Sequence, residues 1–402
     1  MKALMALLLS FSAVSYAVDV PVSFESRDPL VVSAPETVPG YDFACRDPLY
    51  ATVIGALQVK NINIEHEKSF DLKVPGFHDK FEVKAVLQKN VAPLVVVLLG
   101  ISGQTDADYS RLWPSWFAQA GCHVLYFDST FGPKYQRASQ RGVSGNLWTE
   151  TEGVRDIIAT FLDHKDVRGK IGSIHIAGYS YGGSEALILG RMASEESLPF
   201  TISSIQAYSP PINFIESAKI LDTWFTQDRW NYTAGELRNM FLNPPSCEER
   251  DPAKIPDSAC RGAISASFRL ELAKTVLAND SVYELKVLPK EEDDYILEDF
   301  AAGYGYSNFA KDFMLPYWSS KIGADKVYQL VAKSNVCDLV RFQPAYSEII
   351  IANDDPLNSP ESMAALHACA TGHHVTFLPR GGHMGFVADP WTKAKLLSIL
   401  DK

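Results

Sequence analysis

Gly178-Tyr179-Ser180-Tyr181-Gly182 is a Gly-x-Ser-x-Gly pentapeptide, and its surroundings decide what it can do. It follows Ile174-His175-Ile176-Ala177, an apolar run that reads as a strand, and it leads into a stretch, 184–193, that reads as a helix. A residue on so sharp a strand-to-helix turn takes a strained backbone that small flanking residues permit. The turn lifts the Ser180 hydroxyl above the sheet, and the helix N-terminus beneath it supplies free N–H groups. These are the conditions a serine nucleophile needs.

Such a serine requires a base, and the base an orienting carboxylate. His123 and His175 fall at or in expected strands and His373 and His374 open the last one, so these four read as structural. His383 lies just past that strand in Arg380-Gly381-Gly382-His383-Met384-Gly385-Phe386, where flanking glycines let the chain turn tightly and carry the imidazole over the sheet edge. Asn353-Asp354-Asp355-Pro356 directly follows the run 347–352. Asp355 is favoured as the orienting acid, because Pro356 fixes a turn that would aim it at the histidine, and Asp354 remains the alternative. Asp128 reads as a loop-turn residue.

The elements that must hold these groups are legible as an alternation. Residues 52–88 read as strands broken by turns, with 70–74 and 81–87 alternating apolar and polar side chains as half-buried antiparallel strands do. Leu94-Val95-Val96-Val97-Leu98-Leu99 is continuously apolar, which suits a strand buried on both faces of a parallel sheet. Helix (109–120), strand (123–127), helix (147–162), strand (173–177), helix (184–193) and strand (202–207) follow. The rhythm then stops over 212–339, which reads as helices and loops. It resumes with a strand at 347–352, a helix at 363–370, a strand at 374–378 and a final helix at 390–400. The pattern predicts a mostly parallel, doubly wound α/β sheet interrupted by a large helical insertion. The aromatics of that insertion (Trp224, Phe225, Trp230, Tyr232, Tyr317, Trp318) read first as its own core, with an apolar acyl site as the alternative.

The order Ser, Asp, His, with this elbow and these strands, resembles the α/β-hydrolase superfamily over residues 80–210 and 345–402. The most specific pieces are Gly-Tyr-Ser-Tyr-Gly-Gly (178–183), Asp-Asp-Pro (354–356) and Gly-Gly-His-Met-Gly-Phe (381–386). The last is similar to a branch of esterase-like hydrolases whose catalytic histidine sits in G-G-H-x-G-F. Leu99-Gly100-Ile101-Ser102-Gly103 stands where that superfamily usually has His-Gly. The resemblance implies acyl transfer to Ser180, with His383 moving the proton, Asp355 holding the imidazole tautomer, and an oxyanion hole made by the N–H groups of Ile101 and Tyr181. It implies a small-molecule ester or acyl substrate and a cap formed by the insertion. The same triad also serves peptidases and acyltransferases. A non-catalytic binding protein on this fold is the other class of reading, and the complete set of three residues argues against it.

Composition narrows the rest. The chain has 402 residues, 47% hydrophobic and 11% aromatic, which excludes disorder as its main theme. A net charge of −11 argues against nucleic-acid binding, which needs a concentrated basic face. No P-loop, G-x-G-x-x-G or H-E-x-x-H occurs, so neither cofactor nor metal is expected. Lys2, the apolar run Leu4–Val14 and Ser15-Tyr16-Ala17 match a secretory signal peptide, and the run is too short to span a membrane. The expected organisation is a signal peptide at 1–17, a hydrolase core at 18–211 and 340–402, and a helical cap at 212–339, in a secreted or periplasmic protein. Export suits disulfides, and among the six cysteines Cys247 and Cys260, which bracket a Pro- and Asp-rich loop, are the local candidates.

Overall fold

The computed structural model describes residues 38–139, 141–228, 231–232, 234–278, 304–343, 347–370 and 374–401. The expected signal peptide, His373 and Trp230 lie outside them. The run 94–99 explains the architecture. Val95, Val97 and Leu99 face one side of the sheet, against Trp113 and Phe117, while Leu94, Val96 and Leu98 face the other, against Val154, Ile157 and Phe161. All six are essentially buried. At roughly 1.5–3 kcal/mol for each fully buried aliphatic side chain, this one strand anchors both layers.

Eight strands form one sheet: β1 (Glu67–Leu72), β2 (Phe81–Val86), β3 (Ala92–Leu98), β4 (His123–Tyr126), β5 (Ile171–Tyr179), β6 (Ser204–Tyr208), β7 (Ser347–Ala352) and β8 (Val375–Leu378). Their order is β1-β2-β4-β3-β5-β6-β7-β8. β2 is antiparallel to both its neighbours, and every other pairing is parallel. The helices Leu147–Leu162 and Tyr181–Glu195 cover one face, and Asp108–Gln119 and Pro390–Leu397 the other. Sequence order reverses direction in space at β3, so the carboxyl ends of β3, β5, β7 and β8 open on one crevice.

Two expectations are corrected. Part of the stretch read as strands and turns is a helix, Pro48–Leu57: Asp47 caps it by accepting the Tyr50 N–H at 2.7 Å, and Pro48 occupies its first turn. Its buried residues Tyr50, Ala51, Ile54 and Gly55 fall at helical spacing. Secondly, Cys247 bonds not to Cys260 but to Cys45, whose Cα lies 5.0 Å away, and Cys260 is a buried free thiol. The helix Asp257–Ala278 takes Cys260 into its first turns, where it packs against the 48–57 helix instead of reaching back across the loop. Burial pushes its thiol up to about 12, so it behaves as a packing residue. A second bridge joins Cys337 to Cys369.

Between β6 and β7 the described residues are helical, with Phe214–Asp228, Ala234–Phe241, Asp257–Ala278 and Leu315–Ile322 the longer pieces and no strand among them. Asp222 ties this region together: it accepts the N–H groups of Tyr306 and Ser307 at 2.9 Å each and pairs with Arg269 at 3.2 Å. No helix among the described residues is long and apolar enough to cross a membrane.

Candidate active site

Ser180 directly follows β5, in a backbone conformation (φ 53°, ψ −121°) that a side-chain-bearing residue rarely takes. The neighbours that impose it are close. Its N–H donates to the Tyr208 carbonyl at 2.8 Å, and Gly182, two residues on, lies so near β3 that a Cβ there would meet the Leu98 carbonyl oxygen at 2.3 Å. The glycines of the pentapeptide thus let helix and sheet touch. Gly182→Ala is expected to destabilise the protein by about 3 kcal/mol, read from urea unfolding. A loss under 1 kcal/mol would show that the helix can move away from the sheet.

His383 arrives from the loop after β8. Its Nε2 accepts from the Ser180 hydroxyl at 2.9 Å, and its Nδ1–H donates to Asp355 Oδ2 at 2.9 Å. Because a carboxylate only accepts, this pairing sets the tautomer. The other oxygen of Asp355 accepts the Leu357 N–H at 3.0 Å, so the turn at Pro356 locks the carboxylate. Ser180, His383 and Asp355 are all buried, at 8%, 6% and 2% exposure. Asp354 reaches the same loop differently: its Oδ1 accepts the Gly382 N–H at 2.9 Å. The two adjacent aspartates therefore hold the imidazole and the backbone beside it, and the choice between them falls to Asp355 for the contact with histidine.

The residues expected to donate to an oxyanion lie beside Ser180. Tyr181 is the first residue of the helix that follows, so its N–H belongs to the turn with no intrahelical acceptor. Ile101 sits in the turn after β3 and borders the same space as Ser180. Gly100, just before it, comes so close that a Cβ would lie 3.3 Å from that of Ser180. Asp128 accepts the Thr105 N–H at 2.8 Å and pairs with Lys134 at 3.0 Å, a structural role.

Two groups of positioning residues were not read from the sequence. The first is the 48–57 helix. Thr52 Oγ1 accepts the His383 N–H at 2.9 Å, and Gly382, at φ 59°, passes so close that a Cβ would meet the Pro48 carbonyl at 2.2 Å. The Asp47-Pro48 start signal could have revealed the helix, but not its partner. The second group is a buried carboxyl cluster behind the elbow. Glu150 accepts the Tyr181 hydroxyl and, at 2.6 Å, the Gly145 N–H, while Thr130 donates to Glu185. Glu150 interrupts the apolar stripe of its helix (Leu147, Val154, Ile157, Phe161), which is a visible signal for a buried, partnered acid.

Burial pushes Glu150 up to about 6 from 4.5, and Glu185 well above its ordinary value. The folded protein holds the Glu150 proton more tightly than the unfolded chain does. Its contribution to stability is therefore full below pH 4.5 and is lost as pH rises through about 6. The loss amounts to about 2 kcal/mol. Thermal midpoints between pH 4.5 and 7.5 should fall more steeply for the wild type than for Glu150→Gln, which cannot titrate. Parallel slopes would remove Glu150 as the cause.

The strand order with its single opposing strand, the serine elbow after β5, and an acid and a histidine after β7 and β8 make this the α/β-hydrolase fold. Solved structures similar to the chain include an esterase of Pyrococcus furiosus (14% identity, TM-score 0.48, covering 92% of this chain and 96% of that one). Others are an esterase of Pyrobaculum calidifontis (15%, TM-score 0.47, covering 88% and 90%) and an α/β hydrolase of a Penicillium species (12%, TM-score 0.46, covering 83% and 97%). No protein-family model and no curated protein sequence matches the chain. Among the described residues no group of three His, Cys, Asp or Glu is arranged to hold a metal.

Proposed function

We propose that the protein is an exported serine hydrolase that cleaves carboxylic esters through an acyl-enzyme on Ser180. The observation that carries this reading is the unbroken relay from Ser180 through His383 to Asp355, at 2.9 Å per contact, on a strained elbow that borders open cavities. In the first half-reaction Ser180 Oγ attacks the ester carbonyl as His383 Nε2 takes its proton. The charge that develops on the carbonyl oxygen is met by the N–H groups of Tyr181 and Ile101. His383 then passes the proton to the departing alcohol as the carbon–oxygen bond breaks. Water, deprotonated by the same imidazole, releases the acid and restores Ser180. Export is supported by the N-terminal charge and apolar pattern and by two cysteine pairs at bonding distance, which persist in oxidising compartments.

A fluorophosphonate probe tests the reading. The folded protein should take up one label, at Ser180, and lose turnover of a p-nitrophenyl ester in proportion. Folded protein that stays unlabelled would identify a binding protein on a hydrolase fold instead.

A further inference from the structure

Two cavities meet at the nucleophile. Both run beneath the insertion; one is of about 310 Å³, and the other, of about 610 Å³, has His383 in its wall. Ile101, Ser180 and Phe268 border both, whereas His383 borders only the larger. That asymmetry assigns the halves of a substrate. The proton that His383 gives up must reach the leaving oxygen, and a general acid acts only within hydrogen-bond reach. The alcohol half therefore occupies the larger cavity and the acyl half the smaller.

The walls then define each half. The smaller cavity is lined mainly by apolar side chains, among them Leu147, Phe214, Phe309, Met314 and Leu357. Its charged lining residues, Lys219 and Lys311, are exposed and so belong to its mouth. The larger cavity is also largely apolar, with Leu237, Phe241 and Ile264 in its wall, but the hydroxyl-bearing Tyr109 and Ser110 line it, Ser102 and Ser267, which are exposed, stand at its mouth, and none of its described lining residues is Asp, Glu, Lys or Arg. A phosphate placed there would have no cation beside it, whereas hydroxyl groups would find donors and acceptors.

We propose that the substrate is an ester of an apolar acyl chain with an uncharged, hydroxyl-bearing alcohol; the inference rests on the hydrolase reading above and specifies what that site takes. The acyl carbon exchanges its bond to the alcohol oxygen for one to Ser180 Oγ, and the serine proton leaves on the alcohol by way of His383.

The test uses the full chain with 1-decanoylglycerol and decanoyl-lysophosphatidylcholine, which share an acyl group and differ in the charge of the alcohol. The glycerol ester should show kcat/KM about tenfold higher or more. Two variants then separate the cavities. Ala218→Trp, in the smaller, should slow the decanoyl relative to the acetyl glycerol ester by about tenfold. Ala266→Trp, in the larger, should slow decanoylglycerol relative to methyl decanoate by a similar factor, and Leu replaces Trp at either position if folding suffers. Equal or faster cleavage of the phospholipid, a reversed pattern between the variants, or no selectivity from either would overturn the inference while fluorophosphonate labelling of Ser180 leaves the hydrolase reading standing. Absence of labelling would remove both.

Discussion

Replacing Ser180 or His383 by Ala should lower kcat for a p-nitrophenyl ester by about 10⁴- to 10⁶-fold with the fold intact. The size follows from the geometry. Each side chain has one partner that matters to the other, since Ser180 Oγ meets Nε2 at 2.9 Å and Asp355 holds Nδ1 at the same distance. A relay acts as a unit, so the double variant should be no slower than either single one. Asp355→Asn should also fall by about 10⁴-fold, because an amide can present an N–H to Nδ1 and favour the wrong tautomer. Asp354→Asn should lose less than about tenfold, since its contact is with the backbone N–H of Gly382 and an amide oxygen can still accept it. Steady-state kinetics on the five variants and the wild type, with circular dichroism as the folding control, checks the set. Multiplying losses in the double variant, or Asp354 outweighing Asp355, would break the proposed assignment.

Removing the Cys45–Cys247 bridge should cost about 2–5 kcal/mol of stability, since it closes a loop across a sequence separation of 202 residues. The effect should also reach the reaction. Cys45 lies three residues before the helix whose Thr52 holds His383, and that helix is tied to the insertion by the Arg250–Asp47 pair and by Tyr50, whose hydroxyl donates to the Pro245 carbonyl at 2.6 Å. Cys337–Cys369 has a separation of 32 and touches none of these contacts. Denaturant melts and kcat for Cys45→Ser and Cys337→Ser discriminate: both should be less stable, and only the first should lose turnover while still folded. Equal kcat in the two would show that the 48–57 helix keeps its place without the bridge.

What the chain discloses in one dimension depends on how far apart the interacting residues lie. The elbow was readable because its constraints sit within Gly178–Gly182 and the strand beside it. β3 was readable because a run apolar on every residue has few other places to go. Asp355 and His383 stand just past recognisable strands, so their positions follow from topology, and only their contacts set Asp354, on the Gly382 N–H, apart from Asp355, on the imidazole. The bridge from Cys247 was misread because proximity along the chain favours Cys260, whereas the helix starting at Asp257 carries that thiol away. Thr52 left no trace, since its significance is a contact 331 residues distant. Glu150 did leave one, as an acid in an apolar stripe, but a stripe does not name the hydroxyl that answers it.

The contact between Thr52 and His383 has a consequence for the order in which the molecule is assembled. Closing so long a segment is entropically late work, because local helices and neighbouring strands form at smaller cost. Most of the sheet can be in place, with the elbow already strained and the serine exposed, before the histidine loop finds the helix near the other end of the chain. A polypeptide still emerging from a ribosome holds Ser180 without His383. On the proposed reading, competence for hydrolysis would then arrive late, once these two distant segments have met.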